Sequence, residues 1–236
     1  FFINRSSTLK ISNTFFCFII AGMISFVALT IDTLLPAYTE IKNKFLIVDS
    51  QLHWIITALF FGFSLGQILF GPVSDRIGRK NSVLLGVSIY WIGCLVCLVS
   101  NSYMIFVIGR FIQGFGIGGP RVVSQAICRD LFNGNRLASV NSFIMSIFIL
   151  VPVVAPLIGQ SILFFLYWKF IILFFILFSL ITTSFLIINV EETLKETKKI
   201  NFFNIMKYFK EVLSNKSTLI YIVCLGLLLG GLLTFI

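Results

Sequence analysis

The chain has 236 residues, of which 58% are hydrophobic and 11% are charged, whereas soluble domains are roughly 45–50% apolar and about 25% charged. This composition excludes an ordinary soluble domain and predicts a membrane protein. The net charge of +9 does not indicate a nucleic-acid partner, because the basic residues are concentrated in short segments between apolar runs.

Hydrophobic segments divide the whole chain, and each is long enough to cross the ~30 Å hydrocarbon core of a bilayer as a helix. They predict an all-α, polytopic membrane protein embedded in the lipid bilayer. The segments cover about 14–37, 51–71, 82–100, 103–126, 138–162, 168–190 and 217–236.

Basic residues are distributed unevenly between the two sets of connections. Thirteen precede the first segment or follow the second, fourth and sixth, whereas three lie on the opposite side. Because Lys and Arg are enriched in cytoplasmic loops, we expect a cytoplasmic amino terminus in the plasma membrane, the inner membrane of a bacterium. The chain begins at Phe1 and stops at Ile236 inside an apolar run, and no cleavable signal peptide is recognisable. We therefore expect a piece of a longer protein.

The first segment contains an acidic residue, Asp32, six positions before its expected end near Tyr38. Ionisable residues inside a span are costly and are functional candidates by default. The alternative to a functional role is snorkelling, in which the carboxylate reaches the membrane interface. The short side chain of Asp32 makes snorkelling difficult.

A polar stretch joins the second and third segments: Gly71-Pro72-Val73-Ser74-Asp75-Arg76-Ile77-Gly78-Arg79-Lys80. Its charges predict an aqueous loop, and its basic residues predict a cytoplasmic one. An ordinary cytoplasmic loop would explain Arg76, Arg79 and Lys80, but not Asp75 and Gly78 at this spacing. The stretch resembles the loop between helices 2 and 3 of the major facilitator superfamily. The resemblance implies a gating loop whose members are Gly71, Asp75, Arg76, Gly78, Arg79 and Lys80.

The fourth segment contains Arg110, seven residues from its start near Tyr103. At 1.5 Å per residue, Arg110 and Asp32 both lie roughly 10 Å below the outer interface, so the two opposite charges can line one cavity and pair across it. Snorkelling to the interface is the alternative for Arg110. The stretch is similar to the superfamily pattern Arg-x-x-Gln-Gly-x-Gly, and this resemblance groups Gln113 with Arg110 and Asp32 as a site for substrate and protons. The neighbouring glycines predict close helix packing, as does the Gly62-x-x-x-Gly66 pair.

The fifth segment contains Pro152, Pro156 and Gly159. It resembles the Gly-x-x-x-Gly-Pro-x-x-Gly-Gly pattern of antiporters, although Val151, Ala155 and Gln160 depart from that pattern. In either interpretation we expect the prolines to bend or loosen the helix.

A longer polar connection follows the sixth segment. Apolar residues recur at helical spacing between positions 202 and 213 and predict an amphipathic helix along the inner membrane surface. The expected organisation is a six-helix bundle over 1–190, a cytoplasmic connector over 191–216 and the first helix of a second bundle over 217–236. This is the layout of the amino-terminal half of a major facilitator, whose two six-helix halves flank a midplane site.

Three further motifs narrow the resemblance to the bicyclomycin-resistance branch of drug:proton antiporters. They are Leu35-Pro36-Ala37, Cys128-Arg129-Asp130-Leu131-Phe132 and Glu192-Thr193-Leu194. The resemblance implies proton-coupled multidrug efflux of small amphipathic compounds by alternating access, with the proton gradient as the energy source and no cofactor. It also implies the carboxy-terminal half of the same chain as a partner.

Other functions stay open at this stage. A major facilitator for a metabolite or a sugar is one, and a non-transporting scaffold or a truncated remnant is another. An enzyme is disfavoured because neither a metal-ligand cluster nor a nucleophile–base set is recognisable in the sequence. Cys94 and Cys97 form a C-x-x-C pattern, but their position inside a span indicates packing residues rather than a redox pair.

Overall fold

The computed structural model describes residues 12–194 and 214–233, which form two separate units. The first unit starts with α1 (Asn13–Ile24), α2 (Phe26–Asp32), a short 3-10 helix (Leu35–Ala37) and α3 (Tyr38–Phe45). Sequence alone predicts one straight span over 14–37, but the chain bends by 48° between α1 and the helices that follow Ser25. α2 ends at Asp32 because Pro36, four residues later, has no N–H to donate to the Asp32 carbonyl.

The second and third spans form a hairpin with a one-residue connection. α4 (Asp49–Ile77) and α5 (Arg79–Val99) are separated only by Gly78, which has a φ of +95° that glycine adopts without strain. The predicted loop over 71–80 is therefore wrong in its extent. Gly71, Asp75 and Arg76 belong to the last turns of α4, and Arg79 and Lys80 begin α5.

Three long helices complete the first unit. They are α6 (Tyr103–Leu131), α7 (Gly134–Phe165) and α8 (Lys169–Asn189). We call the end of the bundle where α4 meets α5 the Gly78 end; the turn between α6 and α7 and the end of α8 lie there too. The second unit contains α9 (Lys216–Leu233). The predicted amphipathic connector falls largely on residues 195–213, outside the described residues.

Helix α6 is the centre of the unit and packs tightly against α4 and α5. A Cβ atom at Gly93 of α5 would lie 2.5 Å from the Gln113 backbone nitrogen. A Cβ atom at Gly118 of α6 would lie 2.6 Å from the carbonyl carbon of Gly66. Because such distances exclude any side chain, glycine at these positions lets the backbones touch. The sequence-based prediction of close glycine packing is confirmed.

Most helices of the first unit are long and apolar enough to span a membrane. α4, α5, α7 and α8 meet this test individually, and α1 to α3 meet it together as one bent element. α6 has 29 residues but contains Arg110, Gln113 and Arg121, which lower its hydropathy. Because the other helices bury much of α6, this polar helix is compatible with a six-helix membrane bundle.

Short α3 connects several elements at the end opposite Gly78. The Lys44 ammonium donates to the Ser100 carbonyl at 3.2 Å, at the end of α5. Glu40 accepts a 3.2 Å hydrogen bond from the backbone N–H of Trp168, just before α8. Trp168 is 4% exposed and packs against Phe106 and Phe45.

Candidate functional site

Asp32 is the last residue of α2 and is buried, with 7% of its surface exposed. Its carboxylate has no hydrogen bond or ion pair to another residue within 12–194 or 214–233. The next residue, Thr33, is fully buried, and its hydroxyl also lacks a partner in those ranges. The structure therefore places an unpaired carboxylate where α2 gives way to the 3-10 helix.

Arg110 is 1% exposed and is held by two acceptors. Its Nη1 donates to Gln113 Oε1 at 2.8 Å, and its Nη2 donates to the Thr30 carbonyl at 3.2 Å. Gln113 Nε2 in turn contacts Cys94 Sγ at 3.1 Å, and the Thr30 and Tyr90 hydroxyls are 2.9 Å apart. We call these five residues the Arg110 cluster; they join α2, α5 and α6.

The ion pair between Asp32 and Arg110 that the sequence allows is not formed in the described part of the chain. The carbonyl of Thr30, two residues before Asp32, accepts the guanidinium instead. The Arg110 guanidinium is nevertheless close to Asp32 along α2, because the Thr30 carbonyl that it binds belongs to the residue two positions before Asp32. Arg110 Nε, Thr33 Oγ1 and the Tyr38 hydroxyl are all buried without a partner among the described residues. This region therefore has unused polar groups around an unpaired carboxylate.

Helix α7 carries the antiporter-like residues and contacts α2 next to Asp32. A Cβ atom at Gly159 would collide with the backbone of Thr33, so α7 and the end of α2 touch directly. The prolines do not end the helix, since α7 runs through Pro152 and Pro156 without interruption. Pro152 lies on the exposed side, whereas Gly159 is buried.

The cysteines of the C-x-x-C pattern are buried and unbonded to each other. Cys94 contacts Gln113, and Cys97 Sγ lies 3.6 Å from the Phe106 carbonyl. The prediction that they serve packing rather than redox chemistry agrees with these contacts. No group of residues that could hold a metal ion is found within the described residues.

A second polar group lies at the Gly78 end and is centred on Arg79, which is 7% exposed. Its guanidinium donates to Asp130 Oδ2 at 2.9 Å, to Ser74 Oγ at 2.7 Å and to Asp75 Oδ1 at 2.5 Å. Asp130 also accepts from the Thr193 hydroxyl at 3.0 Å. Arg79 therefore joins the ends of α4, α5 and α6.

Glu192 completes this group by binding the start of α5. Its Oε1 accepts from the backbone N–H of Arg79 at 3.0 Å, and its Oε2 accepts from that of Lys80 at 3.1 Å. Gly78 precedes these residues and has no side chain that could cap the helix. We call the set Ser74, Asp75, Arg79, Asp130, Glu192 and Thr193 the Gly78 cluster.

The structure gathers the predicted loop residues only in part. Asp75 and Arg79 are ion-paired, Gly78 forms the turn, and Gly71 lies where an added Cβ atom would be 3.8 Å from the side chain of Val122. The side chains of Arg76 and Lys80 make no ion pair with any residue in the described ranges.

Two charged residues were not predicted as site residues from the sequence. Glu192 was expected only as a family marker, not as a helix cap, and Arg121 was not expected at all. The signal for Arg121 was available, since it lies eleven residues after Arg110 and so on the same face of α6.

Comparisons with known proteins agree with this architecture. The sequence profile of the Major Facilitator Superfamily matches residues 14–236. A bicyclomycin resistance protein homolog of Haemophilus influenzae is 33% identical over 227 residues, which are 95% of this chain and 57% of that protein. The multidrug resistance protein MdtL of Salmonella paratyphi C is 34% identical over 121 residues, which are 51% of this chain and 31% of that protein.

Among solved structures, the human organic anion transporter MFSD10 has the same fold, with a TM-score of 0.61 and 19% identity. The alignment covers 83% of this chain and 53% of MFSD10. The chain thus spans about half the length of the bicyclomycin resistance homolog and of this structure. The resemblance expected from the sequence motifs is confirmed, and the chain belongs to the major facilitator superfamily.

Proposed function

We propose that the full-length protein exports small amphipathic compounds across the plasma membrane, driven by the proton gradient. The names of the two relatives, which refer to bicyclomycin and multidrug resistance, support export as the direction and drugs as the cargo class. The excess of basic residues at the Gly78 end supports a cytoplasmic position for that end and for the amino terminus.

The observation that carries the proposal is the unpaired, buried carboxylate of Asp32. A carboxylate in an apolar environment requires a proton, a cation or hydrogen-bond donors. The Arg110 guanidinium is engaged with Thr30 and Gln113, so it does not supply a direct partner. Asp32 is then available to a proton or to the cationic part of a cargo, and competition between them couples proton entry to cargo exit.

A change of charge at Asp32 would be transmitted through α7. Thr33, the next residue, touches α7 at Gly159, and packed helices move as units because interiors are close-packed. We propose that protonation of Asp32 shifts this contact and so biases the bundle between its two access states.

The Gly78 cluster is suited to holding the cytoplasmic end of the bundle closed. Its ion pairs and hydrogen bonds join α4, α5, α6 and the segment after α8. In our proposal Asp75 and Arg79 stabilise the outward-facing state, and the cluster rearranges when the site opens to the cytoplasm.

The second half of the protein is the expected partner of the exposed side of α7. This helix presents a row of exposed apolar residues, including Ile149, Leu150 and Val153. We propose that helices beyond residue 236 cover part of this row and close the transport path, as in the two-half arrangement of this family.

The test is Asp32→Asn in the full-length protein, reconstituted in vesicles with an imposed pH gradient. This change keeps the side-chain shape but removes the titrating group, so it should abolish uphill efflux while downhill exchange of neutral cargo survives. Asp49→Asn is the control, because Asp49 is a carboxylate with 80% side-chain exposure at the start of α4. Concentration of substrate by the Asp32→Asn protein at the normal rate would disprove coupling through Asp32.

A further inference from the structure

A second arginine lies inside α6 and has no role in the arrangement described so far. Arg121 is eleven residues after Arg110, so the two lie on the same face of the helix and roughly 16 Å apart along its axis. The opposite faces of α6 are occupied by α4 and α5, which pack on Gly116, Gly118 and Gly119. The guanidinium of Arg121 lies over the ring of Phe148, so it contacts α7.

The two arginines differ in how their hydrogen-bonding groups are used. Arg110 donates to Gln113 and Thr30. Arg121 is partly buried, and its Nη1 is enclosed without any partner in the described part of the chain. Its guanidinium lies 5.3 Å from the ring centroid of Phe148 on α7, a cation–π distance. The ion pairs among residues 12–194 and 214–233 involve Lys42 and Arg79 but not Arg121.

A guanidinium inside a membrane bundle needs an anionic or strongly polar partner, because its burial is costly. Among the described residues, Asp32 is the carboxylate inside a span. It lies near the level of Arg110, which is about three helical turns from Arg121. A guanidinium that rests on an aromatic ring uses its face for that contact, so its N–H edge still needs acceptors, and this edge matches carboxylate, sulfonate or phosphate in a bidentate geometry.

We propose that Arg121 is the anion-binding group of the cargo path. The cargo it selects carries a carboxylate, sulfonate or phosphate on a hydrophobic body, whose apolar part packs on Phe148. This inference rests on the proposed transport function and assigns a cargo class to the part of the path between Arg110 and the Gly78 end. It also distinguishes the two charges of the path, with Asp32 for protons and cations and Arg121 for anions.

The test uses a matched pair of fluorescent probes, coumarin-3-carboxylate and the neutral coumarin-3-carboxamide. Their binding to the purified full-length protein is measured by fluorescence for the unmodified protein, Arg121→Gln, Arg121→Lys and Arg136→Gln. Arg136 is a suitable control because its guanidinium also lies 5.3 Å from an aromatic ring, that of Phe132, but is exposed at the Gly78 end. Carboxamide binding reports whether each variant is folded.

We expect the unmodified protein to bind the carboxylate at least about tenfold more tightly than the carboxamide, as for one charge-assisted contact. Arg121→Gln should remove this preference and leave carboxamide binding unchanged, Arg121→Lys should keep part of it, and Arg136→Gln should keep all of it. Equal affinities in the unmodified protein would overturn the inference. Equal losses for both probes in Arg121→Gln would overturn it too and would indicate that Arg121 pairs with a carboxylate of the second half. Uphill carboxamide efflux in a pH gradient is measured separately and reports on the proposed function alone.

Discussion

Removal of the Glu192 carboxylate should loosen the start of α5. The first N–H groups of a helix have no acceptor within the helix, and Glu192 accepts from those of Arg79 and Lys80 at 3.0 and 3.1 Å. Loss of a helix cap costs about 0.5–2 kcal/mol, and a negative charge at a helix start adds about 0.3–1 kcal/mol. Because Glu192 is largely exposed, we take a total of about 1–2 kcal/mol for Glu192→Ala.

This energy corresponds to an increase of about 5- to 30-fold in the open population of the helix start. The assay is hydrogen exchange of the full-length protein in detergent, followed in peptides that contain the Arg79 and Lys80 amides. We expect these amides to be protected in the unmodified protein and to exchange about 5- to 30-fold faster in Glu192→Ala. Glu191→Ala is the control, because Glu191 is exposed and adjacent in sequence. If exchange at Arg79 and Lys80 is the same in Glu192→Ala as in the unmodified protein, the capping role is wrong.

Two further predictions concern packing and charge. Gly93→Ala places a methyl group 2.5 Å from the Gln113 backbone nitrogen, so it should destabilise the protein by about 1–3 kcal/mol. Gly71→Ala is the control and should be nearly neutral, because its methyl group would be 3.8 Å from its nearest neighbour. Thermal unfolding in detergent compares the two variants, and equal melting temperatures would contradict the close contact at Gly93. Arg79→Lys keeps the charge but loses the planar guanidinium that reaches Asp75 and Asp130 together. It should therefore lower the transport turnover more than the substrate affinity. An unchanged turnover in flux assays would argue against a gating role for Arg79.

The Gly78 end illustrates why a correct motif can have the wrong local structure. Four charges between two apolar runs indicate water exposure, and a loop is the simplest way to reach it. The structure instead continues α4 to Ile77 and starts α5 at Arg79. A helical hairpin with one glycine in between is possible because Glu192 and Asp130 satisfy the backbone and guanidinium groups that a loop would have left to water.

The sequence alone determined the features that depend on composition and spacing. Long apolar runs predict spans because lipid offers no hydrogen bonds to the backbone, and Asp32 and Arg110 stand out because charge inside a span is costly. Gly66 and Gly118 could be assigned to close helix contacts from their pattern alone, since glycine is what permits backbones to touch.

Only the tertiary structure decided which groups meet. Arg110 binds the Thr30 carbonyl, eighty residues earlier in the chain, because the bend at Ser25 and the end of α2 expose that backbone group to α6. Glu192 caps a helix that begins 113 residues before it, and Arg121 Nη1 finds no acceptor among the residues that the structure describes. Such pairings depend on helix positions and rotations in space. A periodic sequence pattern gives the face of each helix but not the neighbour that the face meets.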